Sequence, residues 1–268
     1  MDQMTYDRRA TFEELLSVVR QLRDPSSGCP WDREQTHVSL VGDLIEESYE
    51  VIDALESDVI QDLVEELGDL LLQITHHIAI AEENHEFSVE DVFAGIVNKL
   101  VRRHPHVFSS NQAASSSEVL QQWEKIKQEE RKNSSSTDTP FSGLPRAMPA
   151  LLYAQKTQIR ASSLGLDWEK IAGPLEKIQE EFKELNEANS KEGQLAETGD
   201  LLFSVVNAAR WMGIDAETAL RHATDKFQGR TETFLETARE QNVDLLVTSV
   251  EEKERLWNVT KALKAKEE

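Results

Sequence analysis

Glu46-Glu47-Ser48-Tyr49-Glu50 and Glu66-Leu67-Gly68-Asp69-Leu70-Leu71-Leu72 decide how this chain folds. On a helix Glu46 and Glu50 stand one turn apart on one face, and so do Glu66 and Asp69. The same pattern recurs as Glu180-Glu181-Phe182-Lys183-Glu184 and Glu197-Thr198-Gly199-Asp200-Leu201-Leu202-Phe203. Two such helices packed antiparallel aim four or five carboxylates at one spot. Like charges that close stay ionised together only around a cation. An all-oxygen ligand set selects a hard ion, Mg²⁺ or Mn²⁺.

The flanks of the acidic blocks repeat as well. Gly28-Cys29-Pro30-Trp31-Asp32 precedes the first block, and Gly165-Leu166-Asp167-Trp168 the second. Beyond each E-x-G-D segment come a cap, Ser88 or Asp215, and then a basic pair, Lys99 with Arg103 or Lys226 with Arg230. Each half ends in Trp-x-x-x-Lys, from Trp123 to Lys127 and from Trp257 to Lys261. A fixed order of matching segments is the mark of a duplicated module. Apolar residues recur at three and four, as in Leu15, Val18, Val19 and Leu22, which predicts helices throughout. The expected fold is all-α, with tandem helical bundle modules over 1–132 and 143–268. The polar run Asn133 to Pro140 marks a linker over 133–142. Ser109 to Ser117 reads as a loop capping the helix of Trp123.

The net charge of −21 leaves no basic patch long enough to track phosphates, so nucleic acid is not an expected partner. One cysteine, Cys29, excludes a disulfide framework and a thiolate metal site. No apolar stretch reaches the ~18 residues of a membrane span, and Met1-Asp2-Gln3-Met4 does not open a signal peptide. The expected location is the cytoplasm.

Together these segments resemble the MazG family of nucleoside triphosphate pyrophosphohydrolases. Glu-Leu-Gly-Asp-Leu-Leu at 66–71 and Arg-Arg-His-Pro-His-Val-Phe at 102–108 are similar to its two-copy bacterial members, and the likeness runs from about Leu15 to Lys261. The resemblance implies helical modules that dimerise, dependence on Mg²⁺, and cleavage of a nucleoside triphosphate between its α and β phosphorus atoms. Carried over by position, it implies metal ligation by Glu180, Glu181, Glu184, Glu197 and Asp200, and at a second site by Glu46, Glu47, Glu50, Glu66 and Asp69. It assigns phosphate contacts to Lys226 and Arg230. Thr224 stands where relatives often carry Asn.

Chemically, a glutamate of the E-E-x-x-E block, Glu181 or Glu47, is placed to position or deprotonate a water. Glu180 stands with Glu181 in the catalytic set, and Lys226 and Arg230 hold the departing pyrophosphate. Lys177 shares the face of Glu180 and Glu181, where the first copy has Asp43. A phosphate ligand favours the lysine, which makes the second copy the main catalytic one. Trp257 either stacks on a nucleobase or anchors the core. Lys99 and Arg103 either contact phosphate or pair with the acids. Cys29 reads as buried packing, His76-His77 as helix-surface histidines, and His104-Pro105-His106 as a helix stop. Apolar helices around each acidic pair favour a homodimer. A nucleotide-binding scaffold without turnover and a hydrolase of another pyrophosphate-linked nucleotide are the alternative functions.

Overall fold

In a computed structural model the chain folds into α-helices, and no strand forms among the described residues, which are 10–57, 59–109, 139–264 and scattered positions from 115 to 126. Lys127 and most of the 133–142 linker lie outside them. The chain divides into two compact units, Met1–Glu129 and Glu130–Glu268.

In the first unit α1 (Phe12–Leu22) starts at Thr11, whose hydroxyl accepts from the Glu14 amide while the Glu14 carboxylate accepts from the Thr11 amide. This capping box satisfies two otherwise orphaned donors. The buried stripe of α1, Leu16 and Val19, packs on Ile78 and Ala79 of α4 (Ile60–Glu83) and on Val89 at the start of α5 (Val89–Arg103). Only two residues separate α4 from α3 (Val41–Ser57), and the two pack as an antiparallel hairpin. Pro30 opens the short α2 (Pro30–Glu34), where its missing N–H costs nothing. Pro105 does the same for α6 (Pro105–Phe108), so the His104-Pro105-His106 stop falls where the sequence placed it.

The Gly28-Cys29-Pro30-Trp31-Asp32 segment is a buried polar lock. A Cβ on Gly28 would meet the Leu22 carbonyl oxygen at 2.3 Å, so only glycine allows this turn to close on the end of α1. Arg23 is buried, donates twice to Glu83 at 2.8 Å, and reaches the carbonyls of Asp32 and Gln35. His76 is buried too; its Nε2 donates to Asp32 at 2.9 Å and its Nδ1 faces the Leu72 carbonyl. His77 stacks on His37, with 2.8 Å between their Nδ1 atoms. The surface placement expected for these two histidines is therefore corrected. They stand on the face of α4 that α2 and the following loop cover. Cys29 is half-buried and bonds to the Asp32 carboxylate rather than packing in an apolar core.

The second unit repeats the scheme. In it α8 (Ala172–Glu187) and α9 (Lys191–Trp211) form the hairpin, and α7 (Ala150–Ser163) packs on α9. Asp215 caps α10 (Ala216–Glu240) by accepting from the Thr218 amide, and α11 (Val250–Lys264) packs on α10. Half-buried Trp257 sits 5.7 Å from the Phe227 ring and 5.8 Å from the Phe234 ring.

Burial pushes the Asp32 carboxyl up, but hydrogen bonds from Cys29 and His76 outweigh it and hold it below its usual value. Such a group contributes stability that is full above its unfolded pKa and is lost as pH falls through its folded one. Asp32→Asn keeps the shape and removes the charge. We expect a loss of about 2–4 kcal/mol at neutral pH, read by urea unfolding of the first unit. The difference from the wild type should close as pH falls below ~4.

Candidate active site

Each hairpin brings its carboxylates together. In the first unit Glu47 of α3 and Glu66 and Asp69 of α4 place one oxygen each within 4.8 Å of one another. In the second unit Glu181 and Glu184 of α8 do so with Glu197 of α9. The i, i+3 spacing sets neighbours within a helix, and the short loop sets the register between helices. Every one of these residues was singled out by sequence. Glu46, Glu180 and Asp200 were too, but do not share that mutual spacing. Glu50 is close enough to bond to Glu47 and to raise Glu66.

Crowding shows in the acidities. Burial pushes the Glu47 carboxyl up, and the Asp69 and Glu50 charges push it further. Burial and then Glu50 and Asp69 raise Glu66. Burial, Glu181 and Glu197 raise Glu184. Charged oxygens facing each other in partly dry surroundings bind protons more tightly than isolated carboxylates do.

The two sites differ in their nearest cation. Lys177 Nζ lies 2.6 Å from Glu181 and 2.9 Å from Glu180. The hydrogen bond to Glu181, followed by that to Glu180, raises the lysine far above its ordinary value. Glu181 is itself 4% exposed, the most buried acid of either cluster. Asp43 takes the place of Lys177 in the first unit, so that cluster has no counter-ion on its own helix.

Lys226 is exposed and makes no ion pair among the described residues; Arg230 is half-buried with its Nε enclosed and unpartnered. Lys99 is exposed, and Arg103 lays its guanidinium over Trp123 at 5.6 Å. One residue escaped the sequence reading. Gln73 is buried, and its amide offsets part of the rise of the Glu47 carboxyl. Its position one turn beyond Asp69 was the available signal.

All-oxygen donors at this spacing fit a hard ion such as Mg²⁺, whose ligands lie at ~2.0–2.1 Å. A divalent cation would relieve the repulsion that, after burial, raises three of the carboxylates.

Comparison with known proteins places the chain in a family. Residues 35–108 match the MazG nucleotide pyrophosphohydrolase domain, and residues 155–227 match the phosphoribosyl-ATP pyrophosphohydrolase domain. The nucleoside triphosphate pyrophosphohydrolase of Escherichia coli is 39% identical over 93% of this chain and 97% of its own. The nucleoside triphosphate pyrophosphohydrolase/pyrophosphatase MazG of Thermotoga maritima is 43% identical over 93% of this chain and 95% of its own. The uncharacterized protein YabN of Bacillus subtilis is 41% identical over 97% of this chain, which spans 53% of it. With helical hairpins that cluster acids twice and relatives matched end to end, this chain belongs to the MazG family of nucleoside triphosphate pyrophosphohydrolases.

Proposed function

We propose that the protein is a Mg²⁺-dependent hydrolase that converts nucleoside and deoxynucleoside triphosphates to monophosphates and pyrophosphate. The paired three-carboxylate groupings carry this reading. Glu181, Glu184 and Glu197 would hold the ion in the second unit, together with Glu180 and Asp200. Mg²⁺ supplies neutralisation of the triphosphate and a more acidic water. Glu181, buried beside that position, aligns the attacking water and takes its proton. The water oxygen bonds to the α phosphorus and the bond to the α–β bridging oxygen breaks. Lys226 and Arg230 receive the departing pyrophosphate. Lys177 is charged already and turns from Glu180 and Glu181 to phosphate. The second unit is the main catalytic one, and Glu47, Glu66 and Asp69 form the second site.

We also propose a homodimer in the cytoplasm. Val92, Phe93, Ile96, Val97, Leu100 and Val101 of α5 are all exposed in the single chain, as are Leu67, Leu71 and Ile74 of α4. A contiguous apolar surface of this kind calls for a second copy.

Three measurements test the reading. Nucleoside triphosphates should release pyrophosphate with Mg²⁺, and excess chelator should abolish it; orthophosphate as the first product would refute the reaction.

Mg²⁺ should raise the melting temperature, since it binds only the folded clusters. That gain should shrink as pH drops towards 5, because Glu47, Glu66 and Glu184 hold protons more tightly than ordinary carboxylates and compete with the ion.

Asp200→Ala should cost on the order of 10²-fold in turnover, whereas Asp69→Ala should leave most of it. Circular dichroism should show both variants folded. The reverse outcome would assign the main chemistry to the first unit.

A further inference from the structure

The second unit carries an open cavity of about 410 Å³ between α7, the 164–168 turn and α9. That volume falls in the ~300–1,000 Å³ range of small-molecule sites. Its walls include Thr157, Gln158, Trp168, Phe203, Asn207 and Arg210, and none of the clustered carboxylates lines it. On α9, Phe203 and Arg210 stand roughly 9 and 20 Å along the axis from Glu197, at 1.5 Å per residue.

The first unit is built differently at the matching place. Its α1 buries Leu16 and Val19, both at 0% exposure; α7 buries Gln155 and Gln158 instead. Gln155 is satisfied by the Ile214 carbonyl and the Ala216 amide, each at 2.9 Å. Gln158 donates to the Phe203 carbonyl at 2.8 Å, but its Oε1 is buried without a partner. Seven residues after Asp69 stands His76, locked onto Asp32; seven residues after Asp200 stands Asn207. Where one copy is closed by apolar side chains and an imidazole, the other is lined with amides and aromatic rings.

The lining is held in place. Arg210 Nε and Nη2 donate to Asn207 Oδ1 at 3.0 and 2.8 Å. A guanidinium only donates, so the amide cannot be turned round. Asn207 Nδ2 is thereby presented as a donor, and it makes no hydrogen bond among the described residues. Asp167 accepts from Arg210 at 2.6 and 3.0 Å and from Trp211 Nε1 at 3.0 Å, which fixes the guanidinium in turn. The Trp168 ring lies so close over Gly173 that a Cβ there would come within 2.3 Å of it. Trp168 and Phe203 each keep 45% exposure. Two partly exposed aromatic surfaces and an oriented, unused amide donor are what a planar ring with an acceptor edge needs.

We propose that this cavity binds a nucleoside-sized heteroaromatic ligand, its ring against Trp168 and Phe203 and an acceptor on its edge bonded to Asn207 Nδ2. The choice of a nucleoside among such rings rests on the nucleotide-hydrolase reading.

Calorimetric titration of the full chain with adenosine, guanosine, cytidine and uridine in excess chelator tests it. Without phosphates or metal the carboxylate sites contribute nothing. At least one nucleoside should bind the wild type. Trp168→Ala should weaken it about tenfold or more, as loss of a stacking partner does. Asn207→Asp preserves shape and the pairing with Arg210 but replaces the donor with an acceptor, and it should weaken binding about tenfold as well. Glu181→Gln should leave nucleoside affinity unchanged. Melting curves should show Asn207→Asp folded. No binding to the wild type at millimolar nucleoside, equal affinity in Asn207→Asp, or a loss in Glu181→Gln would each overturn the proposal. Nucleoside binding in a protein that releases no pyrophosphate would keep the cavity assignment and sink the hydrolase reading.

Discussion

Repulsion between carboxylates is the constraint on which both units turn. Each helical hairpin gathers three acids within 4.8 Å, against electrostatics that favour spreading them. Something must hold the hairpins in register while no ion is bound. In the first unit it is the packing of α1 on α4 and the bonds of Arg20 and Arg23 to Glu82 and Glu83 at the far end of α4. In the second it is the glutamine pair of α7 and the Asp167–Arg210 bridge. The acidic clusters can remain strained because the opposite end of each hairpin is anchored.

The two copies have divided these roles unequally. Lys177 gives the second cluster a counter-ion, and Glu181 is buried against it. The first cluster lacks one and raises the Glu47 and Glu66 carboxyls instead. Around the clusters the contrast runs the other way. The first copy has the tighter interior, with Asp32 and His76 closed on each other, while the second keeps an open cavity around Trp168 and Asn207. A duplicated module lets one copy specialise in stability and the other in recognition.

Leu67, Leu71 and Ile74, all from the apolar run around the first E-x-G-D segment, are exposed in the single chain. Leu70 and Leu72 are half-buried, but this stripe faces outward in the single chain. Periodicity says which residues avoid water. It does not say whether their cover comes from the same chain or another.

The sequence by itself determined the helices, their caps, the duplication and the acids that meet. These depend on local spacing, and two helices joined by a short loop leave little freedom in which faces touch. Thr11, Ser88 and Asp215 cap where their side chains reach the next turn, and Pro105 restarts a helix for the same local reason. Tertiary structure alone decided that His76 meets Asp32 across 44 residues, that Gln73 reaches Glu47, and that Trp257 lies among phenylalanines. It also decided that buried glutamines on α7 border a cavity where α1 packs leucine and valine. Such contacts join residues far apart in the chain. They follow from which helix faces are left to pair once the hairpins have formed, and no spacing rule records that.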